Sequence, residues 1–318
     1  MDSIHIQGGV ALQGNVRIQG SKNAALPILA ATLLTNETSY IRNCPRIADV
    51  YKMVSLLKSL GCCVKWEAGG ICIHADSVSN GDMPTEAITG MRSSLCMLGA
   101  LLGRCGEVIM EHPGGCVIGE RPIDLHIAAL EQMGVVFQED DRRMMAYTKG
   151  LHGAEITLPF ASVGATENVI LAAVMAEGDT VLHGAAREPE VAALCHYLEC
   201  CGARVDGIGS SEVKIHGGRP LYGADYRVPA DRIVAGTYLF GCLGTGGNVL
   251  LEQAPYQEME TVIHVAEQMG AQCTIAGEDL YVQAPECPEN LSSLKTAVYP
   301  GFPTDLQSMA LVVQTVSP

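Results

Sequence analysis

Residues 22–34 of the chain read KNAALPILAATLL, and this stretch decides the fold. Apolar side chains fill almost every position after Asn23, so the predicted helix has no polar face and is expected to be buried on all sides. A charged residue, Lys22, opens it. A marked turn, a short strand and a second helix ending at Leu60 and Gly61 follow, and another strand comes next.

This unit recurs along the chain, and repeats of this length indicate a modular fold. The later all-apolar helices are SSLCMLGALLG at 93–103, TENVILAAVMAEG at 166–178 and RIVAGTYLFGCLGTGG at 232–247. The second helices end at Gly134, Gly202 and Gly270, which gives a period of roughly 70 residues. A fifth copy opens at Asp305 with LQSMALVVQTVSP, so we expect a chain truncated after Pro318.

The alternation of helices and strands predicts the α/β class. Segments such as VKIHGGRPLYG at 213–223 fit exposed antiparallel strands with polar outer faces. One architecture that satisfies both features is an inside-out α/β barrel, built of βαβαββ-type units with buried helices. An ordinary sandwich with large helices stays open on the pattern alone.

The charge balance limits the classes of molecule that this protein is expected to bind. The net charge is −15, with only 20 Lys and Arg in 318 residues, which argues against nucleic acids and anionic membrane surfaces. The N-terminus lacks a basic region followed by an apolar one, so no signal peptide is predicted. No apolar stretch approaches the ~20 residues of a membrane span. We expect a cytoplasmic protein with no obligate protein partner.

The chain has 13 cysteines, but without a secretory leader they indicate reduced thiols rather than a disulfide framework. Cys44, Cys96, Cys195 and Cys242 lie in apolar patterns and are predicted to be buried. No cysteine pair has metal-ligand spacing, so neither a metal nor a cofactor is predicted. Motifs for dinucleotides, P-loop phosphates, zinc proteases and α/β-hydrolases are absent.

Two cations stand at the starts of buried helices. Free backbone N–H groups there favour anions, so Lys22 and Arg92 have no value as caps and indicate an anionic ligand. Asp231 and Asp305 occupy matching positions and have a simpler explanation as caps. The small residues Ser162–Val–Gly164 before the third buried helix suit a phosphate, although a plain capping turn explains them equally well.

The segment HPGGCVIGERPID, residues 112–124, is the most informative motif. Two adjacent glycines predict a mobile loop, and Cys116 follows them among residues unlike a core. A thiol with a pKa of about 8.5 is protonated at neutral pH and can donate a proton. We therefore interpret Cys116 as a catalytic thiol on a lid, with Arg121 nearby.

Together GSKNAALPILAATLL, PGGCVIGERPIDLH, SVGATEN, AAREPE and GFPTDLQ resemble the UDP-N-acetylglucosamine 1-carboxyvinyltransferase family, the enolpyruvyl transferases of peptidoglycan synthesis. The resemblance implies an inside-out α/β barrel of two domains. One domain would span residues 22–229 with three repeats. The other would combine residues 1–21 with 230–318 and would lack its last repeats.

The resemblance also implies substrates and roles. The substrates would be the small molecules phosphoenolpyruvate and UDP-N-acetylglucosamine, and phosphate would leave through a tetrahedral intermediate. Lys22, Arg92 and Arg121 would contact phosphoenolpyruvate or hold the lid, Cys116 would be the acid that fosfomycin alkylates, and Asp305 would be the base. The implied nucleotide-sugar contacts are Asn23, Arg121, Pro122, Ile123, Asp124, Leu125, Ser162, Val163 and Gly164.

Departures from the family keep alternatives open. Arginines that bind phosphoenolpyruvate in the family lie beyond Pro318, and Phe160 stands where some members have a lysine near the uridine. One alternative is a non-catalytic fragment that only binds UDP-N-acetylglucosamine. Another is the shikimate-pathway enolpyruvyl transferase, although that branch lacks the PGGC loop.

Overall fold

The computed structural model describes residues 3–84, 92–111, 123–139 and 143–317, without the side chains of Arg92 and Ser93. The chain divides into two compact units. The larger unit comprises residues 20–229, and the smaller unit combines residues 1–19 with residues 230–318.

The elements of both units are numbered in chain order. The α-helices are α1 (Lys22–Ala31), α2 (Ala48–Ser59), α3 (Met97–Cys105), α4 (Asp124–Glu131), α5 (Val163–Ala173), α6 (Pro189–Cys200), α7 (Arg232–Thr245), α8 (Glu260–Gln268) and α9 (Gln307–Thr315). The strands are β1 (Gln13–Arg17), β2 (Thr38–Arg42), β3 (Cys63–Glu67), β4 (Gly70–His74), β5 (Glu107–Glu111), β6 (Val136–Glu139), β7 (Arg143–Tyr147), β8 (Glu155–Thr157), β9 (Asp179–His183), β10 (Arg204–Asp206), β11 (Glu212–His216), β12 (Asp225–Arg227), β13 (Asn248–Glu252), β14 (Gln272–Ala276) and β15 (Asp279–Gln283).

Three sheets of the larger unit are linked in a ring. Their strand orders are β12-β2-β4-β3, β5-β7-β6 and β10-β11-β9-β8. In each sheet, the first strand of a repeat pairs in parallel with a segment that lies between two repeats in the sequence. Strand β12 pairs with β2, β8 pairs with β9, and Asp82 forms a parallel bridge to Ile109 in β5.

The helices that open the repeats fill the interior of the larger unit, as their sequences predict. Every residue of α1 from Ala24 to Ala31 is buried, and so is every residue of α5 from Ala165 to Ala173. The strands alternate buried and exposed side chains, as in β11, so one face of each sheet covers the helices. The helices are therefore inside and the sheets outside.

Helices α3 and α5 approach each other closely at Gly99. A Cβ atom built on Gly99 would lie 2.2 Å from the backbone oxygen of Asn168, so only glycine fits there. The Gly99 N–H, in the first turn of α3 where no intrahelical acceptor exists, donates to Asn168 Oδ1 at 2.7 Å. The side chain of one buried helix thus caps the start of another.

The smaller unit contains one four-stranded sheet, β1-β13-β15-β14, in which β1 and β13 are parallel. Helix α7 packs against this sheet through apolar residues, and Phe240 meets Phe302 edge to face at 6.0 Å between centroids. Helix α9 buries only Ala310 and Val313, while Leu311 and Val312 are 59% and 60% exposed. Its apolar residues are therefore covered on one side only.

Candidate substrate-binding site

The start of helix α1 holds two predicted site residues. Ser21 caps the helix by accepting the Ala24 N–H at 3.3 Å, so Lys22 is the first helical residue and not its cap. Lys22 Nζ forms an ion pair with Asp49 Oδ2, at the start of α2, at 3.3 Å. Asn23 is exposed beside it. The exposed pair contributes little stability, but it holds a cation at a helix start, where an anionic ligand also finds free N–H groups.

The start of helix α5 has the same design. Ser162 is its cap and accepts the Ala165 N–H at 3.4 Å, and its carbonyl accepts the Thr166 N–H at 2.9 Å. The N–H groups of Val163 and Gly164 precede the first intrahelical bond and point out of the helix end. Ser162, Val163 and Gly164 are all partly exposed. This turn can bind an oxyanion.

The structure brings the start of α4 beside this turn. Ile123 and Leu125 are half-buried and Asp124 is exposed. His126, the next residue, is buried, and its imidazole lies against Gly164, because a Cβ on that glycine would be 3.0 Å from His126 Cε1. Two segments that the sequence analysis assigned to one ligand, 123–125 and 162–164, are therefore neighbours in the fold.

His126 and Asn168 join three helices of this region. Asn168 Nδ2 lies 2.9 Å from His126 Nδ1 and donates to the Leu95 carbonyl at 3.0 Å. Burial lowers the pKa of His126 to about 4, and the charge of Asp124 opposes that only in part. The sequence analysis missed both residues, although each is a polar residue in a helix that is otherwise largely apolar, and that is a usable signal.

Three carboxyl groups lie close to the start of the same helix α5. Burial raises the pKa of Glu167 well above its usual range, and the charges of Glu190 and Glu188 raise it further. Glu188 Oε2 is buried and has no hydrogen-bond partner among the described residues. The folded protein therefore favours the protonated, uncharged form of Glu167, because burial and like charges resist ionisation.

The two predicted aspartates lie in the smaller unit. Asp231 Oδ1 accepts the N–H groups of Ile233 and Val234 at 2.9 and 3.1 Å, which confirms the capping explanation for this residue. Asp305 lies in the 3₁₀ turn Thr304–Leu306, where its side chain is exposed and makes no cap bond. The capping explanation is therefore wrong for Asp305.

Several predicted residues cannot be placed. Cys116, Arg121 and Pro122 lie outside the described residues, and of Arg92 only the backbone, in the 3₁₀ helix Arg92–Cys96, is described. Phe160, two residues before the Ser162 cap, is 65% exposed.

The buried thiols of the described residues are not suited to the reactive role that the sequence predicts for Cys116. Cys44, Cys96, Cys195 and Cys242 are buried, as the sequence predicts, and the described cysteines are free. Burial raises the pKa of Cys44 and of Cys195 to about 12. Such thiols are poor nucleophiles.

Comparisons with known proteins identify the family of this chain. Residues 6–317 match the family described as EPSP synthase (3-phosphoshikimate 1-carboxyvinyltransferase). The chain is 42% identical to the UDP-N-acetylglucosamine 1-carboxyvinyltransferase of Desulfovibrio desulfuricans, over all of this chain and 76% of that protein. It is 41% identical to the enzyme of the same name from Methylacidiphilum infernorum, with the same coverage.

The chain belongs to the enolpyruvyl transferase family.

Solved structures of this family share the fold. The enolpyruvyl transferase NikO from Streptomyces tendae matches 98% of this chain and 74% of its own, with a TM-score of 0.85 and 18% identity. EPSP synthase from Acinetobacter baumannii matches 89% of this chain and 67% of its own, with a TM-score of 0.68 and 22% identity. The predicted enolpyruvyl transferase-like α/β fold is thereby confirmed.

Two kinds of feature are absent from the part of the chain that the structure describes. No helix there has the length and apolar character needed to cross a membrane. Within the same residues, no group of three or more His, Cys, Asp or Glu side chains is arranged to hold a metal ion.

Proposed function

We propose that this enolpyruvyl transferase transfers the enolpyruvyl group of phosphoenolpyruvate to the 3-hydroxyl of UDP-N-acetylglucosamine and releases phosphate. This reaction is the first committed step of peptidoglycan synthesis. The observation that carries the proposal is the 42% identity to a UDP-N-acetylglucosamine 1-carboxyvinyltransferase along the whole chain. The family match alone names a shikimate enzyme, but the related nucleotide-sugar enzymes are far more similar than the EPSP synthase structures, at 22% identity.

The larger unit supplies groups suited to the nucleotide sugar. The free N–H groups of Val163 and Gly164 can bind a diphosphate oxygen. Ile123 and Leu125 offer apolar surface next to that turn, and the exposed Asp124 carboxylate can accept a hydrogen bond from a base or sugar N–H or O–H. Asn23, Arg121 and Pro122 complete the proposed set.

Lys22, with Arg92 and Arg121, is proposed to bind the charged groups of phosphoenolpyruvate. A fixed cation lowers the energy of the extra charge that phosphate carries as it leaves. Asp49 keeps the Lys22 ammonium at the helix start through the 3.3 Å ion pair.

Cys116 and Asp305 are proposed to move the protons. The Cys116 thiol protonates the methylene carbon of phosphoenolpyruvate while the sugar hydroxyl oxygen bonds to the adjacent carbon and loses its proton to Asp305. The tetrahedral adduct then loses phosphate from that carbon, and the Cys116 thiolate takes a proton back from the methyl group, which restores the double bond. The proton on Asp305 leaves with the phosphate. We also propose a cytoplasmic location, because both substrates carry charges that do not cross a lipid core unaided.

The test is phosphate release from phosphoenolpyruvate with two acceptors, UDP-N-acetylglucosamine and shikimate 3-phosphate. We expect release only with the nucleotide sugar, together with a product heavier by one enolpyruvyl group in mass spectrometry. Release with shikimate 3-phosphate alone would establish the other branch. Calorimetric binding of the nucleotide sugar without turnover would support the non-catalytic alternative instead.

Fosfomycin labelling tests the role of Cys116. We expect Cys116→Ala to abolish labelling and to slow phosphate release by a factor of about 10² to 10⁴, the usual contribution of a general acid. Cys62→Ala is the matched control, because burial raises the pKa of Cys62 to about 12 and makes it unreactive. Labelling that survives Cys116→Ala would contradict the assignment.

A further inference from the structure

His126 has a hydrogen-bond donor that no described residue uses. Its side chain is 8% exposed. Nδ1 faces Asn168, but Nε2 has no hydrogen-bond partner among the described residues and lies where a Cβ on Gly164 would be 3.4 Å away. Gly164 is the second residue of helix α5, so the ring nitrogen lies beside the free N–H groups of that helix start.

Asn168 determines which ring nitrogen carries the proton. The Gly99 N–H donates to the Asn168 side chain at 2.7 Å, so that atom must be the amide oxygen. The other atom, Nδ2, has two hydrogens and gives one to the Leu95 carbonyl. Its second hydrogen points to His126 Nδ1 at 2.9 Å, so Nδ1 accepts and carries no proton. The proton of the neutral ring is then on Nε2.

Burial keeps His126 in this neutral form, since it lowers the pKa to about 4. Protonation would also place a hydrogen of Nδ1 against a hydrogen of the Asn168 amide, and Asn168 cannot rotate without losing Gly99. The ring is thus a fixed donor at neutral pH, and its charge does not vary.

We propose that His126 is a further specificity-determining residue, whose Nε2–H donates to a phosphate oxygen of the nucleotide sugar at the start of α5, with Asn168 as the positioning residue that fixes its tautomer. The inference rests on the proposed function and deepens it. The Val163 and Gly164 N–H groups and His126 Nε2 are three donors at the start of α5, and such a set suits a diphosphate better than a neutral group. Glycine at 164 lets the His126 ring lie this close to the helix start, since a Cβ there would be 3.0 Å from His126 Cε1.

The test uses two amide substitutions that differ in reach. His126→Gln places its N–H near the position of Nε2, whereas His126→Asn places it near Nδ1. Binding of UDP-N-acetylglucosamine, UDP and uridine is measured by calorimetry near neutral pH. We expect His126→Asn to weaken the first two by about 10- to 100-fold, the usual effect of a hydrogen bond to a charged group, and to leave uridine unchanged. His126→Gln retains most of the affinity, and the exposed His264→Gln is the control.

A failure of this inference can be distinguished from a failure of the proposed function. If the unaltered protein binds no UDP-N-acetylglucosamine, the proposed function fails. If the unaltered protein binds the nucleotide sugar, two results would overturn the inference. One is that His126→Asn binds UDP as tightly as the unaltered protein does. The other is that His126→Asn weakens uridine binding as much as UDP binding. Nitrogen NMR of the unaltered protein checks the tautomer without any substitution. We expect a protonated Nε2 and a bare Nδ1 in His126, and a protonated Nδ1 would contradict the role of Asn168.

Discussion

Helix α5 of the larger unit and helix α7 of the smaller unit both begin with a capping side chain. Ser162 accepts an amide at 3.4 Å, and Asp231 accepts two, at 2.9 and 3.1 Å. The difference lies below the caps. Buried polar residues of α5 continue inward from Thr166 to Asn168, whereas those described in the smaller unit are only Asp231 and Arg232.

A buried polar group costs free energy unless it is paired, and a helix whose buried side chains are all apolar avoids that cost. The smaller unit follows this rule, since Phe240 and its neighbours form an apolar core. The larger unit keeps His126, Glu167 and Asn168 at the ends of its buried helices, close to the proposed ligand turn. A helix cap alone therefore does not mark a site, and we propose that the polar groups behind the Ser162 cap do.

The largest expected effect is on the tight helix contact of the larger unit. Gly99→Ala places a Cβ 2.2 Å from a backbone oxygen of Asn168, so α3 and α5 must separate. Gly236→Ala in α7 meets Leu306 Cδ1 at 2.4 Å, the end of a side chain that can rotate. We expect denaturant unfolding to show losses of about 3 kcal/mol and about 1 kcal/mol, respectively. Equal losses would remove this difference between the units.

Glu167→Gln tests the buried acid. Because the pKa of Glu167 is raised in the folded protein, the folded state keeps a proton that the unfolded state loses above about pH 4.5. The free energy of unfolding therefore falls as the pH rises from there toward the folded pKa. We expect Glu167→Gln to flatten this decline in denaturant unfolding as the pH is raised above about 4.5. The exposed Glu260→Gln is the control, and an unchanged decline in Glu167→Gln would contradict the raised pKa of Glu167.

His126 gives the opposite dependence. The pKa of His126 is about 4 in the folded protein, below the ordinary 6.5. Between these two pH values, only the unfolded state binds the proton. The free energy of unfolding falls by about 3 kcal/mol as the pH drops through this range. His126→Gln removes this acid loss, whereas His264→Gln in the smaller unit keeps it. Parallel profiles for His126→Gln and the unaltered protein would show that His126 is accessible to solvent protons.

The caps give the smallest effects and separate structure from function. We expect Asp231→Ala and Ser162→Ala each to cost about 1 kcal/mol of stability, the usual value of a lost helix cap. Only Ser162→Ala should also weaken UDP-N-acetylglucosamine in calorimetry, because its turn is the proposed ligand site. Equal weakening by Asp231→Ala would show that the Asp231 cap also serves the ligand.

Much of the fold was predictable because it depends on local pattern. Thirteen consecutive residues from Lys22 to Leu34 contain no strong polar side chain after Asn23, and such a helix must be buried. The Ser162 turn was equally visible, because a small capping residue before an apolar run is a local signal.

Contacts between distant residues were not predictable. His126 and Asn168 are 42 positions apart. The raised pKa of Glu167 depends on its burial and then on Glu190, in the first turn of α6, and Glu188, just before that helix. The ion pair of Lys22 with Asp49 likewise depends on how two helix starts meet. Helical periodicity fixes which face is buried, but it does not fix which residues of another repeat lie opposite.

Hydrogen exchange with and without UDP-N-acetylglucosamine tests whether the nucleotide sugar binds at the start of α5. When the nucleotide sugar binds, we expect slower exchange of the backbone amides at 123–126 and 162–166 of the larger unit, and no change in β13 to β15. Protection confined to the smaller unit, or binding by calorimetry without protection at the start of α5, would contradict it.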